Sequence, residues 1–367
     1  MNQESLLWLA LSRVPGMPAR VTRSLIKGEP PLSSFFRLSR KSLQNLRLPE
    51  KSIGAIVDGS ALRTADREIR RIPRLGLQLV TLDSPRYPPL LRQIHDPPPV
   101  LYCEGRIETL SGPSVALVGS RRPTVYGKEV SRKLARELSA LGLCVVSGLA
   151  RGVDSQAHWG ALQEEGGTVG VLGCGIDVVY PPENGELFRR VRKQGCLVSE
   201  FPRGSPPARH RFPARNRIIS GLAHGTIVTQ AAKGSGSIIT ANLALEQGRD
   251  VWAVPGAITL SLSWGPNWLI QQGAKAVLSV QDVLEELPPS VLGRLEEKNA
   301  QASPTPRPTA GEEAVLGLLA VDSTLHIDAI LTQSGLDLSG LSDILLSLEL
   351  KGLIRQSPGR QYSRRLS

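Results

Sequence analysis

Val115-Ala-Leu-Val-Gly-Ser-Arg-Arg122 runs four apolar residues into a small-residue turn that carries two arginines. An apolar run of this length, closed by Gly and Ser, reads as a strand buried on both faces of a parallel sheet. The pattern recurs along the chain. Cys144-Val-Val-Ser147 leads into Gly148-Leu-Ala-Arg-Gly-Val-Asp154. Thr168-Val-Gly-Val-Leu172, Leu197-Val-Ser199, Thr226-Ile-Val-Thr229 and Val251-Trp-Ala-Val254 complete the set. Between these runs, helical spacing appears over 128–141 (Val130, Leu134, Leu138, Leu141), 153–162, 186–194 and 239–247. Regular alternation of strand and helix predicts a doubly wound α/β fold with a mostly parallel, extended Rossmann-like sheet. Its ligand should lie at the carboxyl ends of the strands.

Upstream, Leu6, Leu7, Leu9, Ala10 and Leu11 open a helix that Pro15-Gly-Met-Pro18 breaks, and Leu43, Leu46, Ile53 and Ile56 supply further apolar faces. Residues 1–75 therefore read as a helical domain, similar to a sterile-alpha-motif or helix-hairpin-helix unit. It serves either as a plain cap or as a DNA contact. The α/β domain is expected over 76–288, with Leu77–Leu82 and Val100–Cys103 adding strand to its sheet. A proline-rich linker should occupy 289–311. Three short apolar-faced helices and a terminal hairpin around Gly359 predict a winged helix over 312–367. Its segment 340–350 holds Asp343 and Glu349 and no cation, unlike a DNA-reading recognition helix, which favours a protein-contact or regulatory role.

The 367 residues carry 44 Lys and Arg against 33 Asp and Glu, a net charge of +11, which suits a polyanionic partner. The excess sits in 1–110 (17 bases, 10 acids) and 111–290 (19 and 14); the remainder is nearly balanced. Nothing approaches a membrane span, and the first residues lack a basic n-region, so a cytoplasmic protein is expected. Four scattered cysteines without CxxC spacing argue against zinc and for a reducing compartment.

Three clusters carry the chemistry. Gly119-Ser120-Arg121-Arg122 and the Gly148–Asp154 stretch with Arg151 combine glycines for close backbone approach with arginines that grip phosphate bidentately. Each also reads as an ordinary glycine turn, with Asp154 as a helix cap or a partner for Arg151. Arg209-His-Arg-Phe-Pro-Ala-Arg-Asn-Arg217 places four arginines and no acid in what reads as a turn, a concentration best relieved by a bound anion. Within it, Phe212 either stacks on a base or plugs the turn into the core. Lys233-Gly-Ser-Gly-Ser237 opens a helix, where the dipole favours negative charge, but it is not a Walker A loop. No NAD or ATP fingerprint, metal cluster or nucleophile–base pair is visible, so no cofactor and no catalytic residue are expected.

Val118-Gly-Ser-Arg-Arg, Val146-Ser-Gly-Leu-Ala-Arg-Gly-Val-Asp, Tyr180-Pro-Pro-Glu-Asn, Ser199-Glu-Phe-Pro, Phe212-Pro-Ala-Arg-Asn-Arg, Gly234-Ser-Gly-Ser and Val254-Pro-Gly closely resemble the DNA-processing protein A (DprA/Smf) family. The resemblance covers about residues 80–285. It implies a non-enzymatic protein that binds single-stranded DNA, forms a homodimer, displaces single-strand-binding protein and loads the RecA recombinase during natural transformation. Carried over, Gly119, Ser120 and Arg121 would hold a phosphate. Phe212, Arg215, Asn216 and Arg217 would line the DNA pocket, and Lys233, Ser235, Gly236 and Ser237 would close it. Arg122, Gly148 and Arg151 join the candidate set. The chain departs from the family at Gln230, where an acid is common. The alternative is a nucleotide phosphoribohydrolase-like Rossmann enzyme. Such enzymes pair a Pro-Gly-Gly-x-Gly-Thr loop with a glutamate, and the nearest stretch here, Gly234–Thr240, has no acid.

Overall fold

A computed structural model describes residues 3–302, 308–320, 323–351, 353–357 and 359–364. Its centre is a nine-stranded sheet. The strands are β1 (Gln78–Thr81), β2 (Val100–Gly105), β3 (Ser114–Val118), β4 (Cys144–Ser147), β5 (Thr168–Leu172), β6 (Cys196–Ser199), β7 (Gly225–Val228), β8 (Asp250–Ala253) and β9 (Lys275–Ala276). They lie in the order β1-β2-β6-β5-β4-β3-β7-β8-β9. From β6 to β9 every pairing is parallel, while β1 and β2 extend one edge antiparallel. The chain winds outward from β3 through β6, then returns to the other side of β3 with β7. That reversal puts a crevice at the carboxyl ends of β3 and β7, the usual ligand position in such sheets. Every residue of β3, β4, β5, β6 and β7 is buried, as the continuous apolar runs require.

Chain packing gives two compact units, residues 1–296 and 297–367. The helical segment expected as a separate domain over 1–75 has no boundary of its own. Its Trp8, Leu9, Leu25, Phe35 and Ile53 share one apolar cluster with Val100, Leu101 and Tyr102 of β2 and with the sheet beyond. A polar weld reinforces the join. Glu68 accepts from Arg13 at 2.7 and 3.0 Å and from the Tyr102 hydroxyl at 2.7 Å. The expected linker 289–311 is also modified: Pro289–Ala302 is a helix whose Val291 and Leu295 are part of the first unit's core. Residues 303–307 of that stretch lie outside the described residues.

A second correction concerns the arginine-rich segment. It is not a turn, because Arg211–Gly221 is a helix. Pro213 sits in the first turn, where its missing N–H has no intrahelical partner to lose, so the proline that suggested a break is compatible with a helix start.

The second unit is a winged helix. Helices Ala310–Leu318, Ile327–Ser334 and Leu338–Leu350 pack with a three-stranded sheet of β10 (Leu325–His326), β12 (Gln361–Arg364) and β11 (Ile354–Ser357), in that order. Glu312 organises it. Its carboxylate accepts from Lys351 Nζ at 2.6 and 2.7 Å, from Ser347 Oγ at 2.6 Å and from the Thr309 N–H at 2.6 Å, closing a capping box. These bonds, Lys351 first, hold the Glu312 pKa down to about 2. A depressed carboxylate pKa stabilises the fold above the unfolded value of about 4.3 and ceases to do so as pH falls through the folded one. Protection of helix Leu338–Leu350 against hydrogen exchange in the full chain, corrected for intrinsic rates, should therefore decline between about pH 4.3 and pH 2. In Glu312→Gln it should be lower at neutral pH and nearly flat across that window.

Candidate nucleic-acid interface

Three segments leaving the sheet at its carboxyl edge converge on a cavity of about 680 Å³. Gly119, Ser120 and Arg121 follow β3. Phe212, Arg215 and Asn216 come from the first turns of helix Arg211–Gly221. Lys233, Ser235, Gly236 and Ser237 lead into helix Gly236–Glu246. Gly148 and Arg151 line a smaller adjoining recess together with Arg121 and Phe212. Arg122 and Arg217 line neither.

The cavity rim is cationic. Arg121, Arg209 and Lys233 are exposed, and among the described residues none of the three is paired with a carboxylate. Arg209 was absent from the expected contact set, although it belongs to the same arginine-rich segment. Helix Gly236–Glu246 points its N-terminus at the rim, with Ser235 capping Ser237 N–H, and so adds the positive end of its dipole. On one wall Phe212 is half-buried. Its ring lies 5.4 Å from that of Tyr180, and the Arg121 guanidinium stands 5.6 Å from its centroid. Gly173 supports the ring from behind, since a Cβ there would stand 2.8 Å from Phe212 Cδ1. Phe212 is thus anchored to the sheet and also lines the cavity.

The four arginines of the 209–217 segment meet different fates. Arg217 is withdrawn from the cavity. It grips Glu200 with two bonds of 2.7 Å, donates to the Asp96 carbonyl at 3.0 Å and lies 3.3 Å from the Asp96 carboxylate. Burial alone would lower its pKa, but Glu200, with Asp96, reverses this and raises it. A protein carboxylate therefore neutralises this arginine, in place of the bound anion expected for it. Arg211 donates to the Pro206 carbonyl at 2.8 Å and covers the Phe201 ring.

Arg215 is only 4% exposed, beneath the cavity. It donates to the carbonyls of Gly148 (2.7 Å) and Val171, tying the turn after β4 to the end of β5. Burial pulls its pKa down to about 10, against the pull of Asp154. Asp154, also buried, accepts from the N–H groups of Gly148 (3.2 Å) and Ala150 (3.4 Å). Its pKa is raised by burial and restrained by Arg215. Asp154 thus shapes the turn and does not hold Arg151, which pairs with Glu183 at the surface.

The same turn depends on His158. Thr168 Oγ donates to the Val145 carbonyl at 2.6 Å, so it accepts from His158 Nδ1 at 2.7 Å, leaving Nε2 to accept the Leu149 N–H at 3.3 Å. Burial, helped by Arg215, holds the His158 pKa down to about 3, so the ring is neutral. Leu149 has φ of +54°, a backbone geometry that costs a branched residue energy and needs such support. Asn184 completes the support, donating to the Leu149 carbonyl at 2.9 Å. His158 gave no signal in sequence, and Asn184, the last residue of the Tyr180-Pro-Pro-Glu-Asn motif, had no role assigned, because their partners lie on other elements.

Two backbone expectations change with this geometry. The Ser120 N–H is occupied by the Gln230 carbonyl at 2.6 Å, and that of Gly148 by Asp154. With these N–H groups engaged, Arg121 is a side-chain donor that the β3 turn presents to the cavity. Gly152 (φ +79°) allows the β3 and β4 turns to touch, since a Cβ there would collide with the Ser120 carbonyl. Gln230 is buried. Its side chain accepts the Thr124 N–H at 2.9 Å and donates to Thr124 Oγ1 at 2.9 Å, capping the helix Val125–Ala140 from beneath. An acid in its place would still accept that N–H, and the Thr124 hydroxyl could turn to donate to it. Gln230 therefore has a scaffolding role, outside the cavity.

A doubly wound sheet with a cationic, aromatic-walled cleft at its switch point, in a chain that also carries a winged helix, defines an extended Rossmann-like anion-binding protein. Comparison with known proteins narrows the class. The family model for DNA recombination-mediator protein A matches residues 78–288, and that for the DprA winged helix domain matches 299–360. Protein Smf of Synechocystis sp. is 34% identical over 99% of this chain and 100% of its own length. The X-ray structure of DNA processing protein A from Streptococcus pneumoniae superposes with a TM-score of 0.69 at 34% identity, covering 78% of this chain and 99% of that one. A Helicobacter pylori DNA processing protein A, whose structure concerns its single-stranded DNA binding mode, gives 0.52 at 32% identity, covering 60% and 97%. The chain belongs to the DNA recombination-mediator protein A (DprA/Smf) family. Among the described residues, no helix is long and apolar enough to cross a membrane.

Proposed function

We propose that this protein binds single-stranded DNA in the cleft after β3 and β7 and acts as a non-enzymatic recombination mediator. It would work as a homodimer in the cytoplasm, handing the strand to the RecA recombinase at the expense of single-strand-binding protein. The observation that carries the reading is the set of unpaired cations, Arg121, Arg209 and Lys233, on the rim of a cavity walled by Phe212. Phosphates satisfy the cations, and an unstacked base satisfies the ring. The relatives named DNA processing protein support the same reading. The hydrolase alternative needs an acid beside the glycine loop; the carboxylate lining this cavity, Asp154, is buried and committed to two backbone N–H groups.

Fluorescence-anisotropy titration of labelled single- and double-stranded oligonucleotides over a salt series tests this. Wild type should prefer the single strand, with affinity falling as salt rises. Each phosphate contact removed should lower the log–log salt slope by about 0.7. Arg121→Ala should weaken binding at least tenfold and reduce the slope by roughly that amount. Equal affinity for duplex and single strand, or an unchanged slope in the variant, would place the DNA elsewhere.

A further inference from the structure

We propose that the indole of Trp264 is a second nucleobase-stacking subsite, at the Lys233 edge of the cleft, taking the base of a nucleotide whose phosphate Lys233 holds. The inference rests on the single-strand reading above and extends it to a residue outside the cavity lining.

Only 4% of the chain is aromatic, and most of its tryptophans are used for packing. Trp8 and Trp252 are core residues, and Trp159 and Trp268 are half-buried. Trp264 is the exception at 38% exposed. An exposed indole is commonly mobile, but this one is held. It opens the helix Trp264–Gln271, and one turn later Trp268 lies parallel behind it, with centroids 5.7 Å apart and an interplanar angle of 6°. The helix start is fixed to the segment that carries the phosphate loop. Gly265 N–H donates to the Ala231 carbonyl at 2.8 Å, and Ala231 N–H to the Leu262 carbonyl at 2.7 Å. A Cβ on Gly265 would stand 2.6 Å from that Ala231 oxygen, so the two backbones touch. Asn267 braces the helix from the other side by exchanging hydrogen bonds of 3.1 and 2.9 Å with the backbone of Gly256.

The indole is also covered by a group that can leave. Lys233 Nζ stands 5.7 Å from the Trp264 centroid. A solvent-exposed cation–π contact is weak, whereas an ammonium–phosphate hydrogen bond is charge-assisted. A phosphate entering the cleft therefore draws Lys233 off the ring and brings its own nucleotide to the position Lys233 vacates. The base stacks on an indole already backed by Trp268, without the entropy cost of ordering a free side chain. The cleft then has the same device at both edges: Arg121 with Phe212, and Lys233 with Trp264. Because every base has a π-face, the subsite is tolerant of sequence.

The test uses the full chain and a labelled oligothymidylate, intact or carrying abasic positions. Trp264→Ala should bind the intact oligomer roughly five- to a hundredfold more weakly, the span found for stacking aromatics, with the salt slope unchanged. Its deficit should shrink towards zero on the abasic oligomer, and Trp264→Phe should restore most of the affinity. In wild type, binding should quench tryptophan fluorescence, and Trp264→Phe should lose that quench. The last readout decides the matter even if Trp264→Ala folds poorly. Wild-type affinity in Trp264→Ala, an equal deficit on intact and abasic oligomers, or a quench that persists in Trp264→Phe would overturn the subsite while leaving the cleft intact. If wild type itself fails to bind any single strand, the underlying reading falls and the subsite with it, before any variant is compared.

Discussion

Arg217→Ala is expected to destabilise the protein by about 3 kcal/mol while leaving the salt slope of DNA binding unchanged. Glu200 and Arg217 are both largely buried and joined by two 2.7 Å bonds. Removing the arginine strands a carboxylate next to the buried Tyr87, and breaking one side of such a pair costs far more than the pair contributes. Urea unfolding with a two-state fit measures the loss. Replacing both partners in Arg217→Met/Glu200→Met should recover most of it, because the penalty comes from the orphaned charge. A stable Arg217→Ala that binds DNA with a reduced salt slope would return this residue to the DNA surface.

Arg215→Met should cost a similar amount, roughly 3 kcal/mol, and in this case DNA binding should fall as well. The substitution leaves the Gly148 and Val171 carbonyls without a donor and Asp154 without its nearest compensating cation. The turn from Gly148 to Arg151 should then open, carrying the adjoining wall of the cleft with it. Hydrogen exchange at the Gly148 and Ala150 amides, both bonded to Asp154, reports the opening directly. Arg215→Lys should not rescue, since an ammonium is more strongly hydrated than a guanidinium and costs more to bury, and it forfeits the bond from Arg215 Nε to Asn216 Oδ1 at 3.2 Å. Loss of DNA affinity with both amides still protected would instead make Arg215 a direct contact. The pair of variants separates two arginines, two residues apart in one motif, that sequence alone treats as equivalent.

The sheet strands other than the two-residue β9, their order of appearance and the position of the cleft were legible because each rests on a local rule. Continuous apolar runs such as 115–118 and 144–147 can only be strands buried on both faces, and their alternation with helices forces a parallel sheet. Glycine, serine and arginine after β3 and the small residues before the helix at Gly236 were legible as loop segments at the strand ends for the same reason, and the structure brings them together around the cavity. The helix at Arg211 was hidden because Pro213 reads as a breaker wherever the helix start is unknown. The missing boundary at residue 75 was hidden because an apolar helical face looks alike whether it packs on its own neighbours or on β2.

What the amino-acid sequence determined by itself is the α/β winding, the winged helix and an edge rich in glycine, serine and cations. These follow from periodicity and residue type within short windows. Only the tertiary structure decided which charges face that edge. Arg217 is neutralised by Glu200, seventeen positions away, and by Asp96 on a distant loop, while Arg215 is turned inward over the Gly148 turn. Lys233 meets Trp264 because the helix that follows β8 abuts the segment that follows β7. Charge pairing and ring contact act through space over a few ångströms, and the chain distances that separate these partners carry no local signature.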